Sequence, residues 1–120
     1  IFTEFAKFFY NNRSCEYLLE RGITQEQIDE YKLGSTHILY NIEKTKPFIE
    51  NLRVKYDNRL VDNIVVFHLK SINAIKSFHE SSAFVTIPDF DKNGICKGIL
   101  DIHLFILSSG VYIFKYSLPL

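Results

Sequence analysis

An excess of charge of either sign is absent from this sequence: 14 Lys and Arg are matched by 14 Asp and Glu. A domain holding nucleic acid by bulk electrostatics alone would be strongly basic, so that class is excluded, although a local basic face is not. Neutrality together with 11 Phe and 7 Tyr also excludes disorder along the whole chain, since disordered chains are poor in aromatics and usually carry net charge. Long hydrophobic runs are missing. The longest, residues 99–107, is interrupted by Asp101 and His103 and is too short for a membrane helix. The opening IFTEFAKFFYNN lacks the basic segment and plain apolar run of a secretory signal. Cysteine is scarce: Cys15 and Cys96 lie far apart and have no CxxC partners. The expectation is two free buried thiols in an intracellular protein, without the basic setting that makes a thiolate. Neither a P-loop nor a G-x-G-x-x-G motif occurs, which argues against those nucleotide sites. Internal repeats and low-complexity tracts are absent too.

What is present is apolar residues, 47% of the chain, enough for one modest core in a single unit of 120 residues. The chain begins without Met and ends at Ser117-Leu118-Pro119-Leu120, so the expectation is a piece of a longer protein. Phe2, Phe5, Ala6 and Phe9 recur at helical spacing and predict an amphipathic helix that ends at Asn11-Asn12. Ser14 is a candidate N-cap for a second helix carrying Tyr17, Leu18 and Leu19, and Gly22 stands where a left-handed residue ends a helix. Thr24 and Gln27 have capping-box spacing, and Ile23 with Ile28 has the spacing of a hydrophobic staple. Ile28 and Tyr31 share a face, and Gly34 is the expected stop.

Residues 36–42 read as a short strand or a loop. Pro47 is expected to start a helix presenting Phe48, Ile49, Leu52 and Tyr56, and Asp57-Asn58 to make a turn. The β-branched run of residues 64–69 predicts a strand, and Ile72, Ile75 and Phe78 a helix after Ser71. The remainder reads as strands over 84–87, 95–107 and 111–116, with turns at 89–94 and 108–110. Helices first and strands last imply an α+β fold with a small antiparallel sheet: helical over 1–34, mixed over 35–83, β-rich over 84–120.

Few residues suggest chemistry. Asp89 and Asp91 form a DxD, and Asp101 and His103 a DxH, types that could hold Mg²⁺. Asp89, Asp91 and Asn93 around Gly94 read better as turn residues, and Asp101 with His103 as the polar face of a strand. His37, His68, His79 and His103 lack metal-ligand spacing; His68 reads as a hydrogen-bonded interior or edge histidine. One basic cluster is interleaved with an aromatic: Arg53, Lys55, Tyr56 and Arg59, with Lys44 and Lys46 upstream. Cations for phosphate and a ring for stacking are what a single strand requires. Glu43, Glu50 and Asp57 dilute the cluster, so a solvated helix face is the competing reading.

The stretch YLLERGITQEQIDEYKLG, Tyr17 to Gly34, resembles the opening helices of the RNA-polymerase domain of bacterial DnaG-type DNA primases. Phe9-Tyr10, Tyr17-Leu18, Arg21-Gly22-Ile23-Thr24, Glu26, Ile28, Tyr31, Leu33 and Gly34 carry the pattern, with Tyr31 where the family has Phe. A second match is the strand–turn–strand signature, with Ile87-Pro88, Asp91, Gly94 and Gly98 in register. The resemblance covers about residues 1–34 and 84–100. The family's basic residue before the proline falls at Phe84, and its closing Gly-Gly-Arg at Leu100, Asp101 and Ile102. The family's preceding zinc module and following TOPRIM carboxylates are not recognisable. The resemblance implies the N-terminal subdomain of a primase core: a non-catalytic part that holds single-stranded DNA template for a primer-synthesising polymerase in DNA replication. It implies no cofactor in this piece and Mg²⁺ for the parent nucleotidyltransferase. It further implies partnership with the TOPRIM-type domain of the same chain and with a replicative helicase, in the cytoplasm and without a membrane. Nucleic-acid contacts are expected at Arg53, Lys55, Tyr56 and Arg59, and at Lys92 and Lys97 beside the matching turn. The alternative is a protein-interaction module, for which the aromatics Phe8, Phe9, Tyr10, Tyr40, Tyr112 and Tyr116 would supply apolar surface.

Overall fold

The structure, a computed structural model, describes the backbone of residues 1–13, 16–20, 22–76, 83–107 and 110–119, and the side chains of 1–13, 18–20, 22–69 and 85–101. It is α+β, with helices followed by an antiparallel sheet. The helices are α1 (Phe2–Asn11), α2 (Glu16–Glu20), α3 (Gln25–Tyr31), α4 (Ile42–Lys55) and α5 (Asn58–Lys76), with a 3-10 segment at Thr36–Tyr40. The strands β1 (Gly34–Ser35), β2 (Ala83–Phe90), β3 (Cys96–Leu107) and β4 (Gly110–Pro119) pair in sequence order, all antiparallel.

α1 forms as its spacing predicts, with Phe2, Phe5, Ala6 and Phe9 all buried. Its aromatic face packs on Leu39, Leu52, Val61, Ile64, Cys96 and Ile99, so helices and sheet share one core. Phe8 stacks flat on Phe48 of α4 at 4.0 Å, and Phe5 meets the same ring edge-on at 5.2 Å. A second, smaller cluster joins Leu18, Ile28 and Leu33 to Val85 of β2.

The corner between α2 and α3 is built by the local signals. Gly22 has φ +87°, its N–H bonds to the Leu19 carbonyl, and the Ile23 N–H bonds to the Leu18 carbonyl; these are the paired bonds of a Schellman stop. The Thr24 hydroxyl accepts from the Gln27 N–H at 3.1 Å, and Gln27 Oε1 accepts from the Thr24 N–H at 2.9 Å, completing the capping box. Ile23 packs against the cluster that contains Ile28, the residue at staple spacing from it. The Ser14 cap and the turn at Ser108-Ser109 lie outside the described residues.

Five expectations are overturned. Residues 36–42, read as a short strand or a loop, hold the 3-10 segment Thr36–Tyr40. The left-handed residue ending α3 is Lys32, at φ 54°, and Gly34 instead enters β1 opposite Thr86. Gly34 is needed for proximity: a Cβ there would stand 2.6 Å from the Phe9 carbonyl carbon and 2.7 Å from both Phe9 Cβ and Thr86 Oγ1. α4 begins at Ile42, where Asn41 Oδ1 caps the Lys44 N–H at 3.2 Å, and Pro47 lies inside the helix. Residues 64–69 are helical, within one continuous α5. The Asp57 carboxylate caps its start through the N–H groups of Arg59 and Leu60, and Val61, Ile64 and His68 are buried at helical spacing along it. Tertiary burial of that face outweighs the strand preference of the β-branched run. Finally, Asp101 does not lie on a polar strand face: it is fully buried against His68.

Candidate nucleic-acid interface

The predicted basic cluster is positioned by the α4–α5 corner. Arg53 and Lys55 sit in the last turn of α4, Tyr56 at its cap and Arg59 in the first turn of α5. Three of the four are engaged by carboxylates. Arg53 Nη2 lies 2.5 Å from Asp62 Oδ1, Lys55 Nζ lies 3.4 Å from Glu4 Oε2, and the Tyr56 hydroxyl donates to Glu4 Oε1. Partial burial of Glu4 opposes its ionised form, but the bonds from Tyr56 and Lys55 prevail and hold its carboxyl below the usual range. The bond to Glu4 correspondingly raises the Tyr56 phenol. The Glu4 contacts tie the end of α4 to α1 and the Arg53–Asp62 pair ties it to α5, so the cluster is first of all a structural junction.

Lys92 and Lys97 flank the β2–β3 turn and are exposed. The turn is shaped by Asp91, whose Oδ1 accepts from the N–H groups of Asn93 at 2.8 Å and Ile95 at 3.0 Å, and by Gly94 at φ +77°. The Ile95 bond leads in holding the Asp91 carboxyl below its ordinary range. Of the carboxylates considered for Mg²⁺, Asp91 caps a turn, Asp101 is enclosed with His68, and Asp89 is exposed. Among the described residues no three His, Cys, Asp or Glu are placed to hold a metal.

A groove of about 530 Å³ runs between α1 and this turn, lined by Thr3, Ala6, Lys7, Tyr10, Asn11, Lys32, Phe90 and Gly94. Helical spacing puts Lys7 and Tyr10 on neighbouring turns of α1, and the left-handed turn after α3 delivers Lys32. Tyr10 is fixed: its hydroxyl donates to Asp29 Oδ1 at 2.7 Å, while Arg13 Cζ and Lys32 Nζ lie 4.2 and 4.9 Å from its ring centroid. Cation–ring attraction gathers positive charge at the groove wall. The bonds from Tyr10 and then Gln25 hold Asp29 ionised below its ordinary range. Phe90 is 38% exposed and sits where the β2–β3 register shifts between Asp89 and Phe90. Such irregularities re-aim side chains at sheet edges. An exposed ring, two lining cations, and Lys92 and Lys97 on the adjoining turn form the mixture that suits a phosphate-linked chain of bases.

Sequence spacing does not disclose this groove, because Lys7, Lys32 and Phe90 belong to three distant segments. Of the aromatics read as apolar surface, Phe9 is fully buried and Phe8 is stacked, while Tyr40 is 44% exposed; the side chains of Tyr112 and Tyr116 lie outside the described residues. Cys15, Arg21 and His79, and the side chains of Phe84, Ile102 and His103, lie outside them as well. Cys96 is buried with its thiol donating to the Gly98 carbonyl, and burial raises its pKa. No helix among the described residues is long and apolar enough to cross a membrane. No protein-family model, curated protein or solved structure matches this chain.

Proposed function

We propose that this chain is the N-terminal subdomain of a DnaG primase-like polymerase and holds single-stranded nucleic acid without performing the chemistry. One observation carries the reading: the two separated stretches that resemble the family, 1–34 and 84–100, pack against each other as one unit. Leu18, Ile28 and Leu33 cluster with Val85, Gly34 pairs with Thr86, and the Cys96 N–H bonds to the Thr3 hydroxyl at 2.9 Å. The groove with Lys7, Lys32 and Phe90 lies at that junction. In the parent enzyme a TOPRIM-type domain would supply Mg²⁺ and nucleotidyl transfer, and a replicative helicase would deliver the template. The test is fluorescence anisotropy of a labelled single-stranded oligonucleotide at low salt with high micromolar protein. Weak binding that fades with salt is expected; unchanged anisotropy refutes the reading.

A second reading, a protein-interaction module, is favoured by one surface. Ile42 at the start of α4 is 73% exposed, and with Leu39 and Ile49 it lines a shallow depression of about 320 Å³. Light scattering that shows a clean monomer with no self-association would count against it.

A further inference from the structure

His68 and Asp101 play no part in the nucleic-acid reading. His68 projects from the buried side of α5, and Asp101 lies in β3, 33 residues away. Nδ1 stands 2.5 Å from Oδ2, with both side chains fully buried. At that distance a proton must lie between the two atoms, because two facing lone pairs would repel. Among the described residues, His68 Nε2 and Asp101 Oδ1 are buried without a hydrogen-bond partner.

Among the described residues, three aromatic rings pack on the imidazole. The Phe5, Phe9 and Phe67 rings stand 6.2, 4.9 and 5.2 Å from the imidazole. α1 therefore presents rings to it and no ionisable group. The 3-10 segment packs on α5 with Thr36 buried and His37 exposed. On the sheet, Thr86 of β2 and Tyr116 of β4 hold the register positions opposite Asp101, and His103 lies two residues along β3. Cys96 is the one further buried ionisable side chain among the described residues.

We propose that the His68–Asp101 pair is a proton-linked latch between α5 and the sheet, closed while it holds one proton and opened by adding a second or removing the first. With one proton the pair is neutral overall, as carboxylic acid with imidazole or carboxylate with imidazolium. A second proton leaves an imidazolium facing a neutral acid, a net positive charge with both side chains buried. Removing the shared proton leaves a carboxylate that loses its donor. Either state places a net charge on a fully buried pair.

The direction of the pH dependence follows from proton counts. In the unfolded chain the carboxyl and imidazole titrate near about 3.9 and 6.5. Between those values both states hold one proton, so the pair adds no pH dependence. Above about pH 6.5 the unfolded chain has released its proton and the folded pair has not, so stability falls as pH rises. Below about pH 4 the unfolded chain takes a second proton that the folded pair refuses, and stability falls again. Burial, partly offset by the bond from His68, raises the Asp101 carboxyl above its ordinary range. α1 rests on the imidazole through Phe5 and Phe9 and walls the groove, so on the proposed function an open latch loosens the groove; the latch itself does not depend on that reading.

The test is chemical denaturation of the full chain from acid to alkaline pH, compared with His68→Leu/Asp101→Leu. The wild-type folding constant should fall up to tenfold more per pH unit than that of the double variant above about pH 6.5 and below about pH 4. Parallel profiles overturn the proposal. Should the double variant not fold, ¹⁵N spectra of the wild-type imidazole decide. A His68 ring whose protonation is constant across the plateau supports the latch, and one that titrates freely near about pH 6.5 overturns it.

Discussion

Replacing Gly34 by alanine tests whether this residue serves close approach or chain reversal. The added methyl would meet the Phe9 carbonyl carbon at 2.6 Å, and Phe9 Cβ and Thr86 Oγ1 at 2.7 Å. Two of those atoms belong to α1 itself and cannot rotate away. The third belongs to Thr86, which is 1% exposed and has little room to turn. Relief therefore requires α1 to lift from the sheet, and α1 carries Phe5 and Phe9, both fully buried. Overpacking of this kind costs about 1–3 kcal/mol, and the immobile neighbours place Gly34→Ala at the upper end. For a chain of this size that corresponds to a melting point lower by roughly 6–15 °C. Circular dichroism melting, with chemical denaturation as a second measure, reads the loss. Gly34→Asn separates the two roles. A left-handed stop accepts asparagine better than alanine, whereas a steric contact penalises the larger side chain more. Lys32→Gly should stabilise by up to about 1 kcal/mol, because Lys32 holds the left-handed φ of 54°. An unchanged melting point in Gly34→Ala, or an asparagine milder than alanine, would refute the contact argument.

Three further outcomes are expected. Thr24→Ala removes the cap at the start of α3 and should cost about 1 kcal/mol; a double-mutant cycle with Gln27→Ala, followed by denaturation, should show coupling because the two bonds are reciprocal. The depressed Asp91 carboxyl contributes stability that is present above its unfolded pKa and lost as pH falls through its lower folded value; Asp91→Asn should therefore flatten part of the loss below about pH 4 in an acid titration followed by circular dichroism. In the groove, Lys7→Ala and Lys32→Ala should each reduce the dependence of oligonucleotide binding on log salt by about one unit, and Phe90→Ala should weaken binding by about 1–3 kcal/mol. Arg59→Ala serves as the comparison at the α4–α5 corner, and a larger loss there than in the groove would move the interface back to that corner.

The local grammar of this chain was readable without its structure. The apolar spacing of Phe2, Phe5, Ala6 and Phe9, the Gly22 stop, the Thr24–Gln27 box and the Asp91–Gly94 turn depend on residues within about one helical turn or one hairpin of each other. Such signals are complete in the sequence because the interacting groups are neighbours in the chain. α5 is not legible for the converse reason: residues 64–69 have the composition of a strand, and only burial of Val61, Ile64 and His68 against α1 and the sheet selects the helix. Gly34 was legible as a glycine with a purpose, but its purpose is set by Phe9 and Thr86, which lie 25 residues before it and 52 after it. The His68–Asp101 pair and the Lys7–Lys32–Phe90 groove likewise join distant segments. Sequence alone determined where this chain turns and which faces it must bury. Only the tertiary structure decided which polar groups meet, because desolvation and close contact act on neighbours in space, and the chain order carries no record of them.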